Sequence, residues 1–223
     1  MGTLFQHYPA KPKSDLCEDA QFILCSAHDA ASSFLDTFNK VRTARGAKGT
    51  PTDEEQDLLR AMLLFATAGL DSMVKQLVTD ALPTVIEKDI GATEMFKQHI
   101  ERRLEKNERL DRKFLADIIA DSNPRKRMLN GLVSELTSKS LQSRDQLLKT
   151  AAFFNIPSNA ICVAPSNLTN IFAARNQIAH EMDVDFDQSN RSRRPRAKEL
   201  ITAFTNEVFK TADNFLSEVD KRL

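Results

Sequence analysis

The stretch Thr52-Asp53-Glu54-Glu55-Gln56-Asp57-Leu58-Leu59-Arg60-Ala61-Met62-Leu63-Leu64-Phe65-Ala66-Thr67-Ala68-Gly69-Leu70 decides the fold. A threonine followed three residues later by a glutamate is a capping box, in which each side chain takes one orphan backbone N–H of a new helix. The segment Leu58 to Leu70 behind it is apolar nearly all round, which suits a helix that neighbours cover on most sides. This helix is therefore expected at the centre of a bundle, running until Pro83 kinks or ends it.

Working outward, the sequence predicts a first helix from Ser14 or Asp15 to about Arg42, with Ile23, Ala27, Ala30, Phe34, Phe38 and Val41 inward and Gly46 and Gly49 breaking it. After Gly91 a polar helix from about Thr93 to Ala120 carries only a thin apolar stripe and is expected to lie across the surface. Asn123-Pro124 reads as an N-cap with proline at the first helical position, opening a helix to about Lys149. A loop, Asn155 to Ser166, leads to a helix capped by Ser166 or Asn167, whose inward stripe is Leu168, Ile171, Phe172, Ile178, Ala179 and Met182. A last amphipathic helix, Arg196 to Leu223, turns Leu200, Ile201, Phe204, Val208, Phe209, Phe215 and Leu216 inward. The one strand signal is a short β-branched stretch at Ile161-Cys162-Val163. The expected fold is all-α, a helical bundle of about five to seven helices over residues 1–223, with an N-terminal arm (1–13) and a charged loop (183–196).

Composition narrows the function classes. With 41% hydrophobic and 28% charged residues among 223, the chain has the make-up of an ordinary soluble globular protein. No apolar run approaches a membrane span, and Met1 to Lys13 lacks the apolar core of a signal peptide, so a cytoplasmic location without membrane contact is expected. Cys17, Cys25 and Cys162 make neither a disulfide framework nor a zinc spacing and are read as core residues. No phosphate-binding glycine loop or serine-nucleophile motif is present. The net charge of zero argues against coating nucleic acid by bulk electrostatics, but it hides local separation. Glu181, Asp183, Asp185 and Asp187 are followed at once by Arg191, Arg193, Arg194, Arg196 and Lys198, and Arg125-Lys126-Arg127 forms a second basic knot.

The place that asks for chemistry is Ala174-Arg175-Asn176-Gln177-Ile178-Ala179-His180. Arg175 interrupts the apolar stripe of its helix, and a guanidinium in that position needs a carboxylate, a phosphate or a wet cleft to receive it. Asp71 on the central helix is the best candidate carboxylate, either as a structural ion pair or as a support that orients Arg175 in a working site. Lys75 is read as an intrahelical partner of Asp71. Residues five apart point about 140° away from each other on a helix, so Arg175 and His180 of one chain are not expected to converge, whereas Asn176 and His180 share a face. His7, His28 and His99 have no partner at a useful spacing.

With Arg175, Asn176 and His180 on the penultimate helix of an all-α chain, the sequence resembles the HEPN superfamily, whose ribonuclease members carry Arg-x4-6-His on a late helix. The central Phe65-Ala66-Thr67-Ala68-Gly69-Leu70-Asp71 is similar to the second helix of the RiboL-PSP-HEPN branch. The resemblance implies a metal-independent endoribonuclease of toxin or phage-defence type that works without a cofactor as a two-fold homodimer. Arg175, Asn176 and His180 of both protomers would then line one cleft, with Arg191, Arg193, Arg194, Arg196 and Lys198 on the RNA. It implies 2′,3′-cyclic phosphate and 5′-hydroxyl ends on a cellular RNA such as tRNA or mRNA, and restraint by an inhibitor protein or sensor subunit. One branch extends the motif to Arg-x4-His-x-Tyr; here that position is Met182, and the sole tyrosine is Tyr8, so control by tyrosine modification is not expected. The alternatives are a non-catalytic HEPN-like dimerisation module that binds nucleotide, RNA or protein, and a helical scaffold with no nucleic-acid role.

Overall fold

The computed structural model of the chain describes residues 8–46, 48–106, 109–162 and 165–223. Among them are ten α-helices: α1 (Glu18–Ala44), α2 (Asp53–Asp80), α3 (Leu82–Lys88), α4 (Ile90–Leu104), α5 (Arg112–Ile119), α6 (Pro124–Thr137), α7 (Arg144–Phe153), α8 (Ser158–Ile161), α9 (Pro165–Glu181) and α10 (Lys198–Asp220). The fold is all-α, as expected. A 3-10 turn, Asp15–Cys17, precedes α1, and a two-residue antiparallel ribbon, β1 (Glu105–Lys106) with β2 (Arg109–Leu110), follows α4.

The capping box opens α2 as the sequence predicts: the Thr52 hydroxyl accepts from the Glu55 N–H at 3.4 Å and the Glu55 carboxylate from the Thr52 N–H at 2.9 Å. Among the described residues α2 alone is long and apolar enough to cross a membrane by length and composition, against the expectation that no apolar run approaches a span. Most of that apolar window is buried in the bundle, because α2 packs against α1, α6, α9 and α10. Its long hydropathic run is accounted for as a central core helix. Gly69 sets the approach of α1 to α2: a Cβ there would lie 2.2 Å from the Cβ of Ala27.

The bundle has more helices than the five to seven expected, because two long segments divide. The polar stretch breaks at the β1–β2 ribbon, and Asp111 caps α5 anew by accepting from the Phe114 N–H. Its first half is less superficial than its charges suggest, since Ala92, Phe96 and His99 are buried. The segment from Pro124 breaks after Thr137, and Ser143 caps α7 with its hydroxyl. On α1 the buried face is Ala20, Leu24, Ala27, Ala31, Leu35 and Phe38, turned by one residue from much of the expected stripe. Ile23 and Phe34 are only partly covered, Phe34 resting on the Phe65 ring at 5.2 Å, and Val41 is exposed. Ala27 meets Gly69 of α2, an approach close enough to require small residues there, and Phe34 lies at the margin of that contact against Phe65. The motif helix starts at Pro165, ahead of Ser166 or Asn167, and Leu200 on α10 is exposed where burial was expected. Ile161 ends α8 instead of forming a strand; Val163, like His7, lies outside the described residues. In the N-terminal arm, the N–H groups of Ala10, Lys13 and Ser14 bind the carboxylates of Asp213 and Asp220 on α10.

Candidate functional site

Helix α9 turns Leu168, Ile171, Phe172, Ala174 and Ile178 into the core against α2, α7 and α10. Arg175 sits at the edge of this face, half-buried, while Asn176 and His180 are exposed beside it. Met182 is not part of the stripe. It follows the last helical residue in the left-handed region (φ 52°) and is 68% exposed, because the chain leaves the helix there.

The structure brings Arg175, Asn176 and His180 of one chain together. Nη1 of Arg175 donates to Oδ1 of Asn176 at 3.0 Å and stands 3.1 Å from Nε2 of His180. This corrects the expectation that Arg175 and His180 diverge. That expectation followed the Cα–Cβ directions, but the arginine side chain is long enough to lie along the helix surface and span the rise of about 7.5 Å across five residues. Arginine has only donors, so this contact requires the Nε2 lone pair, which puts the proton of a neutral imidazole on Nδ1.

No carboxylate lies within 4.0 Å of Arg175 among the described residues, and its Nε is buried without a hydrogen-bond partner. Asp71, the candidate partner, is near enough for its charge to favour the guanidinium but makes no bond to it. The Asp71 oxygens go elsewhere: Oδ1 accepts the Leu141 N–H at 2.6 Å and Oδ2 accepts from Lys75 Nζ at 2.9 Å, the intrahelical pair expected. Burial pushes the Arg175 guanidinium below its ordinary value, with Asp71 opposing.

The charged loop is folded on itself and on α2. Asp183, fully buried with φ 60°, bonds Nε of Arg60 at 2.8 Å and Nε of Arg196 at 2.9 Å. Its own N–H reaches back to the Gln177 carbonyl at 2.8 Å and closes the end of α9. Arg60 also bonds Asp57 at 3.0 Å and the Arg194 carbonyl, and Arg196 bonds the Gln177 side chain. Arg193 pairs with Asp57 at 2.6 Å, and Arg194 with Glu181 at 3.0 Å. Of the five cations expected on RNA, Arg196 is buried in an ion pair, and Arg193 and Arg194 are engaged within the protein. Lys198 donates to Asn39 at 2.8 Å, and Arg191 is exposed. A basic run next to an acidic run pairs with it when the loop between them folds back, and an isolated Val184–Arg193 bridge marks that fold.

Arg60 is not singled out by the sequence, and Asp183 stands there only as one member of the acidic run. The signal was present, since Arg60 is the one charged side chain inside the apolar run Leu58 to Leu70. His28 and His99 are buried, the latter edge-on to Phe153. No group of three or more His, Cys, Asp and Glu side chains comes together as a metal site among the described residues. Comparison of the chain with protein-family models, with curated proteins and with solved structures gives no match.

Proposed function

We propose that the chain is an endoribonuclease that cleaves RNA through Arg175, Asn176 and His180. One observation carries the reading: a half-buried guanidinium without an ion pair among the described residues stands beside the acceptor nitrogen of a solvent-exposed histidine. A phosphodiester is the anion that such an arginine receives, because its planar fork matches two non-bridging oxygens. In the reaction, Nε2 of His180 takes the proton of the ribose 2′-hydroxyl once a phosphate has drawn Arg175 away from it. The 2′-oxygen attacks phosphorus, the bond to the 5′-oxygen breaks, and that oxygen leaves with a proton; the products are a 2′,3′-cyclic phosphate and a 5′-hydroxyl. Arg175 offsets the charge that builds on the phosphorane. Asn176 orients Arg175 through Oδ1 and keeps its amide N–H groups for the substrate.

The reading includes a homodimer, in which a second His180 supplies the leaving-group proton across a two-fold axis. The exposed face of α2 supports it. Leu64 and Ala68 lie on the same side of the helix as Asp71, whose charge reaches Arg175, and Phe65 on the flank of that side is 49% exposed. The test is incubation of total RNA or tRNA in EDTA with the wild type, His180→Ala and Arg175→Ala. Wild type is expected to shorten the RNA and leave cyclic phosphate ends, with each variant slower by about 10²-fold or more. Equal cleavage by all three would remove the motif from the mechanism.

The pairing of Arg193, Arg194 and Arg196 within the protein favours one second reading, a non-catalytic dimeric module that holds a nucleotide phosphate on Arg175. Retention of RNA with no loss of length over hours would select it.

A further inference from the structure

We infer that Lys75 is a positioning residue for Arg175: by engaging the Asp71 carboxylate it keeps that carboxylate off the guanidinium and leaves Arg175 open to an oxyanion. The inference rests on the reading of Arg175 as an anion receiver.

A partly buried carboxylate and a partly buried guanidinium within each other's field ordinarily close into an ion pair, because each is poorly solvated alone. Here they do not. Asp71 acts on Arg175 through its charge, yet among the described residues no carboxylate oxygen comes within 4.0 Å of the guanidinium, and the Arg175 Nε is left buried and unsatisfied. Both oxygens of Asp71 are already taken. The Leu141 N–H, in the turn between α6 and α7, holds Oδ1 at 2.6 Å. Lys75, one turn along α2 on the same face, holds Oδ2 at 2.9 Å. The backbone donor fixes where the carboxylate sits, and the lysine decides which cation it serves. Without Lys75, Oδ2 has no cation of its own, and Arg175, on the helix α9 that packs against α2, is the guanidinium that feels its charge. Its orphan Nε would gain the partner it lacks. A closed Arg175–Asp71 pair would compete directly with a phosphate for the guanidinium.

The test follows the Nε–H resonance of Arg175 in 15N-labelled full-length protein, with inorganic phosphate as the probe and Arg175→Ala for assignment. In Lys75→Met, with Lys75→Gln as the second variant should the first fold poorly, the Nε–H signal is expected to move downfield and exchange more slowly as Asp71 closes on it, and the response to phosphate should weaken about fivefold. Lys75→Arg should keep the wild-type signal and response. Lys75→Met combined with Asp71→Asn should return both, because asparagine still accepts from Leu141 but carries no charge to offer Arg175. A purely structural role for Lys75 would leave the Nε–H signal where it is. An unmoved signal in Lys75→Met and Lys75→Gln would overturn the inference. Movement in those variants with no phosphate response in the wild type would leave Lys75 its positional role and overturn the reading of Arg175 as an anion receiver.

Discussion

Substituting Asp183→Asn should destabilise the fold far more than its place in a charged loop suggests. Asp183 is fully buried between two guanidinium groups, and the side chains of Arg60 and Arg196 are 3% and 9% exposed. Removing the carboxylate charge leaves two like charges facing each other in a low-dielectric space. Breaking a buried pair from one side costs about 3–5 kcal/mol. Arg60 keeps Asp57 as a second partner at 3.0 Å, and that carboxylate is half exposed, so the lower end of the range is expected. Asparagine is the right probe because it tolerates the left-handed backbone at φ 60°, which alanine does not, so charge is separated from strain. For a chain of this size, 3 kcal/mol corresponds to a fall in Tm of roughly 6–12 °C. Thermal unfolding followed by far-ultraviolet circular dichroism reads it directly, and Arg60→Leu, which leaves Asp183 its bond to Arg196, should fall by less. A Tm within about 2 °C of wild type would refute the view that this ion cluster clamps the loop to α2.

Gly69→Ala should cost about 1–3 kcal/mol in urea unfolding, because the new Cβ meets the Ala27 Cβ at 2.2 Å and the two core helices must move apart. Thr52→Ala removes the cap of α2 and should cost about 1 kcal/mol in the same assay. Burial holds the His28 and His99 imidazoles below their ordinary range. With folded values below the unfolded one, their contribution is complete above about pH 6.5 and is lost as pH falls through the folded values, since the unfolded chain protonates first. The urea midpoint should therefore drop as pH falls below about 6.5, and His99→Leu should flatten that drop.

Much of the fold was legible where a single local rule decides it. The capping box at Thr52, the Asn123-Pro124 start of α6, and the periodicity that buries Ile201, Val208, Phe209, Phe215 and Leu216 on α10 all hold, because caps and stripes are properties of neighbouring residues. The breaks at Glu105–Leu110 and after Thr137 were not legible. Helix-forming residues run up to the first, where the chain turns back along α4; the second falls in Ser138–Ser143, whose serines favour turns and caps, and Ser143 caps α7. The buried face of α1 is offset by one residue from the stripe expected, because at Ala27 the helix stands too close to Gly69 of α2 for a large side chain, while Leu24, Leu35 and Phe38 are buried farther along the same face.

Arg60 and Arg175 show how far sequence reasoning about a site extends. Each is a guanidinium on an apolar helical face, and each demands a receiver by the same desolvation rule. Arg60 found Asp183, 123 residues away, together with Asp57 and a backbone carbonyl, and became structure. Arg175 found no carboxylate among the described residues, although the charge of Asp71 reaches it, and was left with an amide oxygen, a histidine nitrogen and an orphan Nε. Spacing along the chain does not separate these outcomes, because the partner of Arg60 comes from a loop and the partner withheld from Arg175 is held by a lysine and a backbone N–H. What separates them is whether the carboxylates within reach are already committed. Of the two arginines, only the one whose neighbouring carboxylate is committed elsewhere keeps the open guanidinium that the proposed RNA cleavage needs.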